Sequence, residues 1–232
     1  MRPTLLIAIG CVATTLFCAA CNGVGEGAAA MKVAVRPDEV VDFRTLYNQN
    51  CSACHGDNGQ GGPALDLANQ VYQAVVDDAS LKKWIRNGMP GTEMPAFGES
   101  AGGFLTEKQV DALVAGMRSN WAKGTASGAA PPPYIANLHG DEKSGEQIYK
   151  DACASCHAKS GEGISNASYL ALVSDQSLRT ITIAGRPDLG QPNWQQYRPN
   201  RPLTNEEVTN VVAYLASLRS ATPGQPYPNR TK

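Results

Sequence analysis

Apolar residues recur three or four positions apart in several parts of this chain, which is the spacing of an amphipathic helix. Two such stretches begin with Leu-Thr, at positions 105 and 203. In both, glutamine or glutamate follows the threonine three residues later, as in an N-terminal capping box. Their apolar positions are Val110, Leu113, Val114 and Met117 in the first stretch and Val208, Val211, Val212 and Leu215 in the second. No stretch alternates apolar and polar residues as a strand does, so the pattern predicts an all-α protein.

An earlier amphipathic stretch precedes each of these two. Val40, Phe43 and Tyr47 form one apolar stripe, and Pro37 in front of them favours a helix that begins there. Ile148 and Tyr149 belong to the corresponding helix further along the chain.

The chain also repeats itself, which is a sign of duplication. CSACH from position 51 matches CASCH from position 153, and GMPGTEMPAF from position 88 matches GRPDLGQPNW from position 185. The two Leu-Thr stretches follow in the same order. The repeat predicts a first domain over residues 38–123, a linker rich in Gly, Ala and Pro over residues 124–138, a second domain over residues 139–220 and a tail over residues 221–232.

The N-terminus reads as an export signal over residues 1–20, because Arg2 is followed by an apolar run too short to span a bilayer comfortably. Ala-Ala before Cys21 resembles the lipobox of bacterial lipoproteins, although Cys18 stands where leucine is usual. The alternative is ordinary secretory cleavage near residues 28–30. We expect a lipid on Cys21, followed by a flexible tether over residues 21–37.

Cysteine usage and charge narrow the class of protein. Of seven cysteines, two lie in the signal and one would carry the lipid, so four remain in two C-x-x-C pairs and none is left over for a disulfide. The net charge is −1, without the basic excess that would indicate a nucleic-acid partner.

The two C-x-x-C-H segments carry the chemistry. A thiol pair separated by two residues can bond to the two vinyl groups of one haem, and the histidine that follows is then held under the iron. One such segment alone would also fit half of a zinc site or a redox dithiol. Two of them in an exported chain favour two covalent haems c, attached at Cys51 and Cys54 and at Cys153 and Cys156.

With these motifs the chain resembles the class I cytochromes c over nearly all of its mature sequence. The resemblance implies a few helices wrapped around one covalent haem in each domain, with His55 and His157 as proximal iron ligands. Pro63 lies in a segment similar to the one whose carbonyl orients the proximal histidine in that family. Met94, in Met-Pro-Ala-Phe, resembles the distal iron ligand, and Met89 is then expected to line the pocket.

The second domain departs from the family pattern. It lacks a counterpart of Pro63, and no methionine follows Met117. The repeat aligns Gln191 with Met94, so Gln191 either offers its amide oxygen to the second iron or lines a position that is vacant or holds water. Without a thioether ligand, the second haem is expected to have a lower reduction potential than the first haem. Other conceivable ligands are Lys159, Asn193 and His139.

These expectations favour an electron carrier over an enzyme, because no acid/base pair in a substrate pocket is recognisable. The expected protein is a lipid-anchored, periplasmic dihaem cytochrome c. It would carry electrons between a quinol-oxidising complex or dehydrogenase and a downstream acceptor such as a terminal oxidase. The alternative is a peroxidase-like enzyme or gas sensor that uses an open iron site at the second haem.

Overall fold

The computed structural model describes residues 35–124, 128–157 and 164–221. The predicted signal peptide, Cys21, Lys159 and nearly all of the predicted tail lie outside these residues. Within them the secondary structure is helical, with isolated bridges and no β-strand, so the all-α prediction is confirmed. The described residues from Pro37 onward belong to one compact unit.

Each domain contains five α-helices among its described residues. Those of the first domain are α1 (Phe43–Asn50), α2 (Ser52–His55), α3 (Gln70–Val75), α4 (Asp78–Asn87) and α5 (Glu107–Trp121). Those of the second are α6 (Glu142–Ala152), α7 (Ala154–His157), α8 (Ala167–Leu170), α9 (Asp175–Ala184) and α10 (Asn205–Ser217).

The first helix begins later than the sequence pattern suggests. Pro37–Glu39 forms a short 3-10 turn, and α1 starts only at Phe43. The Asp42 carboxylate accepts the Thr45 backbone N–H at 2.8 Å, which supplies the N-cap there. The prediction of a helix from Pro37 is therefore wrong, because a capping side chain inside the amphipathic stretch sets the start.

The two capping boxes are both confirmed. Thr106 caps α5 with Gln109, and Thr204 caps α10 with Glu207 in the reciprocal arrangement. These helices pack on the first helix of their own domain, α5 on α1 and α10 on α6. In the second domain the approach needs glycine, because a Cβ on Gly145 would lie 2.0 Å from the Asn210 carbonyl oxygen.

The two domains are packed together rather than merely linked. Helix α3 contacts α9, and the Asn69 side chain donates to the Ala184 carbonyl at 3.1 Å. Tyr134, from the predicted linker, is buried in the core of the first domain, where its hydroxyl accepts the Trp84 indole N–H at 2.9 Å. Its carbonyl accepts hydrogen bonds from Gln176 and Arg179 of the second domain. The described part of the linker is thus an element of the interface.

The helices described here are too short or too polar to cross a membrane.

Candidate haem sites

The first attachment site lies where α1 passes into α2. Cys51 donates its backbone N–H to the Tyr47 carbonyl at 2.8 Å, and His55 donates its own to the Cys51 carbonyl at 3.0 Å. The Cys51 and Cys54 thiols are free. Burial raises the pKa of Cys51 to about 12 and keeps it a neutral thiol. The turn that follows needs Gly56, whose φ is 78°.

The His55 ring is oriented by a backbone carbonyl. Its Nδ1 lies 2.8 Å from the Leu65 carbonyl oxygen, which can only accept, so Nδ1 carries the proton. Nε2 then has a free lone pair, which is the form in which imidazole binds iron. Burial and the nearby Arg186 charge lower the pKa of His55 and keep the ring neutral, although the Leu65 hydrogen bond opposes them. Two free thiols followed by a neutral, oriented histidine fit a covalent haem.

The orienting carbonyl is not the one expected from the sequence. We expected Pro63 to supply it, and the structure assigns it to Leu65. The Ala64 N–H donates to the Cys54 carbonyl at 2.9 Å, so the chain folds back over the attachment turn and brings Leu65 to the ring. Pro63 itself is exposed. The role given to the Pro63 carbonyl is therefore wrong.

The second attachment site repeats the backbone of the first. Cys153 donates to the Tyr149 carbonyl at 2.9 Å, and His157 donates to the Cys153 carbonyl at 3.1 Å. Both thiols are free, and burial raises the pKa of Cys153 to about 11. Burial also lowers the pKa of His157, so the second site offers the same residue types as the first: two free thiols and a histidine.

Two matching loops, which we call the first distal loop (residues 88–97) and the second distal loop (residues 185–194), align as the repeat predicts. In the first, the Met89 N–H donates to the Met94 carbonyl at 3.1 Å. In the second, the Arg186 N–H donates to the Gln191 carbonyl, also at 3.1 Å. A glycine with positive φ opens both loops. Gln191 therefore occupies the backbone position of Met94, while its place beside the iron stays a prediction.

The two methionines of the first distal loop have different surroundings. The Met89 sulfur accepts the Ser177 hydroxyl at 3.1 Å and the Ser174 hydroxyl at 3.5 Å, both from the start of α9. Met89 thus faces the second domain, which supports Met94 as the candidate iron ligand. That assignment remains a prediction.

Gln191 has a partner that sequence reasoning missed. Its Nε2 donates to the Tyr197 hydroxyl at 2.8 Å, and burial raises the pKa of Tyr197 to about 12. The amide nitrogen is thus engaged by Tyr197, which would leave Oε1 as the atom to meet a ligand if Gln191 lies beside the iron as predicted. Of the alternatives, Asn193 accepts the Gln195 N–H at 3.0 Å and closes a turn, while His139 is exposed. No periodic signal marks Tyr197 in the sequence.

Comparisons with known proteins agree with the repeated sites. Residues 38–115 match the family model for cytochrome c oxidase, cbb3-type, subunit III, and residues 142–219 match the family model for cytochrome c. A cbb3-type cytochrome c oxidase subunit CcoP of Azospirillum sp. is 30% identical over 178 residues, 72% of this chain and 51% of that protein. A cytochrome bc1 complex cytochrome c subunit of Mycobacterium bovis is 28% identical over 185 residues, 74% of this chain and 61% of that protein.

Among solved structures, a chain of the Kuenenia stuttgartiensis reducing HAO-like protein complex is 17% identical, with a TM-score of 0.47. The match covers 81% of this chain and 98% of that one. The chain spans about half the length of the first curated relative.

Proposed function

This chain consists of two tandem domains of the cytochrome c family with two covalently attached haems c, and we propose that it passes electrons within a respiratory chain. Its donor would be a quinol-oxidising complex or a dehydrogenase, and its acceptor a terminal oxidase. Relatives that are subunits of a cbb3-type oxidase and of a bc1 complex support partners of this kind.

The observation that carries the proposal is the repeated attachment site in two domains that pack on each other. The haems supply one-electron chemistry, and the protein holds and orients them. His55, oriented by the Leu65 carbonyl, would hold the first iron through Nε2, and Met94 is the proposed second protein ligand. A thioether ligand favours reduced iron, whereas the amide of Gln191, at the same loop position in the second domain, does not. The first haem therefore has a higher reduction potential than the second.

A reduction assay with membranes tests the electron-transfer function. Purified full-length holo-protein is mixed with quinol and membranes that contain a quinol-oxidising complex, and haem reduction is followed in the visible spectrum. We expect both haems to be reduced faster than by quinol alone, and a complex-specific inhibitor to abolish the acceleration. A matched control replaces Cys153 and Cys156 with alanine and retains only the first haem. Equal rates with and without membranes would contradict the proposal.

The proposal includes a lipid anchor at Cys21 on the periplasmic side of a bacterial membrane. Its support is the lipobox-like Ala-Ala-Cys after the apolar run. Cys21→Ala should release the protein from membranes or stop its maturation, while the control Cys11→Ala should not. Wild-type protein that washes off with salt alone and carries no acyl group would show that this anchor is absent.

A second candidate function is binding of a small ligand at the second haem. The observation that favours it is the Gln191–Tyr197 pair, which would place hydrogen-bonding groups at an open distal position. A carbon monoxide difference spectrum of the reduced protein tests it. A spectral change from one haem supports an open site, and no change excludes it.

A further inference from the structure

Arg186 belongs to the second distal loop by its backbone. Its N–H donates to the Gln191 carbonyl at 3.1 Å, and the Gln191 N–H donates back to the Arg186 carbonyl at 2.9 Å. It occupies the loop position that Met89 has in the first domain. These two hydrogen bonds tie the backbone of Arg186 directly to Gln191.

The Arg186 side chain nevertheless ends in the first domain. Its Nη2 donates to the Gly62 carbonyl at 3.0 Å. Gly62 packs directly on the first attachment turn, since a Cβ there would lie 2.3 Å from the Cys54 carbonyl oxygen. Three residues further on, Leu65 supplies the carbonyl that orients His55. Arg186 thus supports the proximal loop of the first haem from outside its own domain.

Arg186 lies in a small cluster of charged side chains that includes Asp188 and Asp66. The Arg186 side chain is only 9% exposed, and Asp188 accepts from its Nε at 2.9 Å and from its Nη2 at 2.6 Å. Asp66 of the first domain is also buried. Desolvation is the main cause that raises the pKa of Asp66, and Asp188 adds to it. The cluster therefore brings one cation and two carboxyl groups together between the domains.

A buried cation near a haem disfavours the ferric state, which carries the extra positive charge, and so raises the potential. We propose that Arg186 is the residue through which the second domain positions the proximal loop of the first haem and raises its reduction potential, with Asp188 offsetting part of the effect. The proposal rests on the electron-transfer function proposed above. A potential measured on the isolated holo-protein requires no partner, so the two proposals can fail separately.

The test is a potentiometric titration of full-length holo-protein at one fixed pH, for wild type and four variants. Arg186→Gln removes the charge, Arg186→Lys keeps it, and Asp188→Asn removes the offsetting anion. Arg201→Gln is the matched control, because Arg201 pairs with Glu207 in the second domain and is more exposed than Arg186.

For Arg186→Gln we expect the reduction equilibrium constant of the first haem to fall about threefold to tenfold, where tenfold equals 59 mV for one electron. Arg186→Lys should recover most of this loss. Asp188→Asn should shift the constant in the opposite direction, and Arg201→Gln should leave the first haem unchanged.

Unchanged potentials in Arg186→Gln would overturn the proposal. Potentials of the first haem that shift in the same direction in Arg186→Gln and Asp188→Asn would also overturn it. Removing a positive and a negative charge should have opposite electrostatic effects, so equal signs would indicate a purely structural role. If Arg186→Gln fails to retain haem, the other two variants test the proposal. The potential of the first haem should then rise in Asp188→Asn and stay close to the wild-type value in Arg186→Lys, and the absence of either result would overturn the proposal.

Discussion

Replacing Glu207 with glutamine should weaken the second domain in a pH-dependent way. The Glu207 carboxylate accepts two hydrogen bonds from Arg201, both at 2.7 Å, and one from the Thr204 N–H at 2.9 Å. Arg198 lies 3.4 Å away. The Arg201 hydrogen bonds, followed by the Thr204 N–H and the Arg198 charge, lower the pKa of Glu207 from 4.5 to about 2. The carboxylate therefore links the segment after the second distal loop to helix α10.

The magnitude follows from that pKa. A decrease from 4.5 to about 2 corresponds to about 3 kcal/mol in favour of the folded, ionised state. Because the Arg201 side chain is 48% exposed, solvent screening reduces the expected loss in Glu207→Gln to about 1–2 kcal/mol. Gln109 performs the same capping role in the first domain without such an ion pair, so the substitution keeps the cap and removes only the charge.

Urea unfolding of the holo-protein, followed by far-ultraviolet circular dichroism and the haem spectrum, measures the difference between wild type and variant. The folded-state pKa is depressed, so the wild-type advantage is complete above about pH 4.5 and disappears as the pH falls through about 2. The reverse control is Gln109→Glu, which would put a carboxylate against the Pro37 and Val40 carbonyls and should destabilise the first domain. An equal loss in Glu207→Gln at pH 7 and at pH 2 would refute the electrostatic explanation.

Three further predictions concern haem attachment, the distal position of the second haem and the packing of helix α6 on α10. Replacing Cys51 and Cys54 with alanine should remove one of two covalent haems, measured by pyridine haemochrome. Gln191→Met should add a second methionine signal in the near-infrared, raise the potential of the second haem and abolish any carbon monoxide binding, whereas an unchanged spectrum would mean that Gln191 does not face the iron. Gly145→Ala should cost about 2 kcal/mol or more, seen as a lower urea midpoint, because the new Cβ would overlap the Asn210 carbonyl.

Helix caps and the alignment of the two distal loops can be predicted from the sequence, because each depends on residues that lie close together in the chain or repeat in the same order. The capping boxes at Thr106 and Thr204 depend on a threonine and the third residue after it, and both are present. The same holds for the alignment of Gln191 with Met94, which the repeat alone indicated and the loop hydrogen bonds confirm. The periodic pattern predicts a start near Pro37, but α1 begins at Phe43 because the Asp42 side chain caps the helix there.

Contacts between the domains could not be predicted in this way. Arg186 donates to Gly62, 124 positions away in the sequence. Tyr134 belongs to the predicted linker but is buried in the core of the first domain. The orienting carbonyl of Leu65 depends on how the loop folds back on Cys54. Such contacts leave no periodicity in a single chain, because each depends on packing between distant segments.

A potentiometric titration of the wild-type holo-protein, recorded in the visible and near-infrared, tests most directly whether two haems with unequal distal ligands carry the electrons. We predict two one-electron steps, with the near-infrared methionine band of the ferric protein disappearing as the first haem is reduced, at the higher potential, and no such band from the second haem. Met94→Ala should remove the band and lower that potential, whereas Met89→Ala should do neither. A single haem, or a methionine band from both haems, would contradict this account.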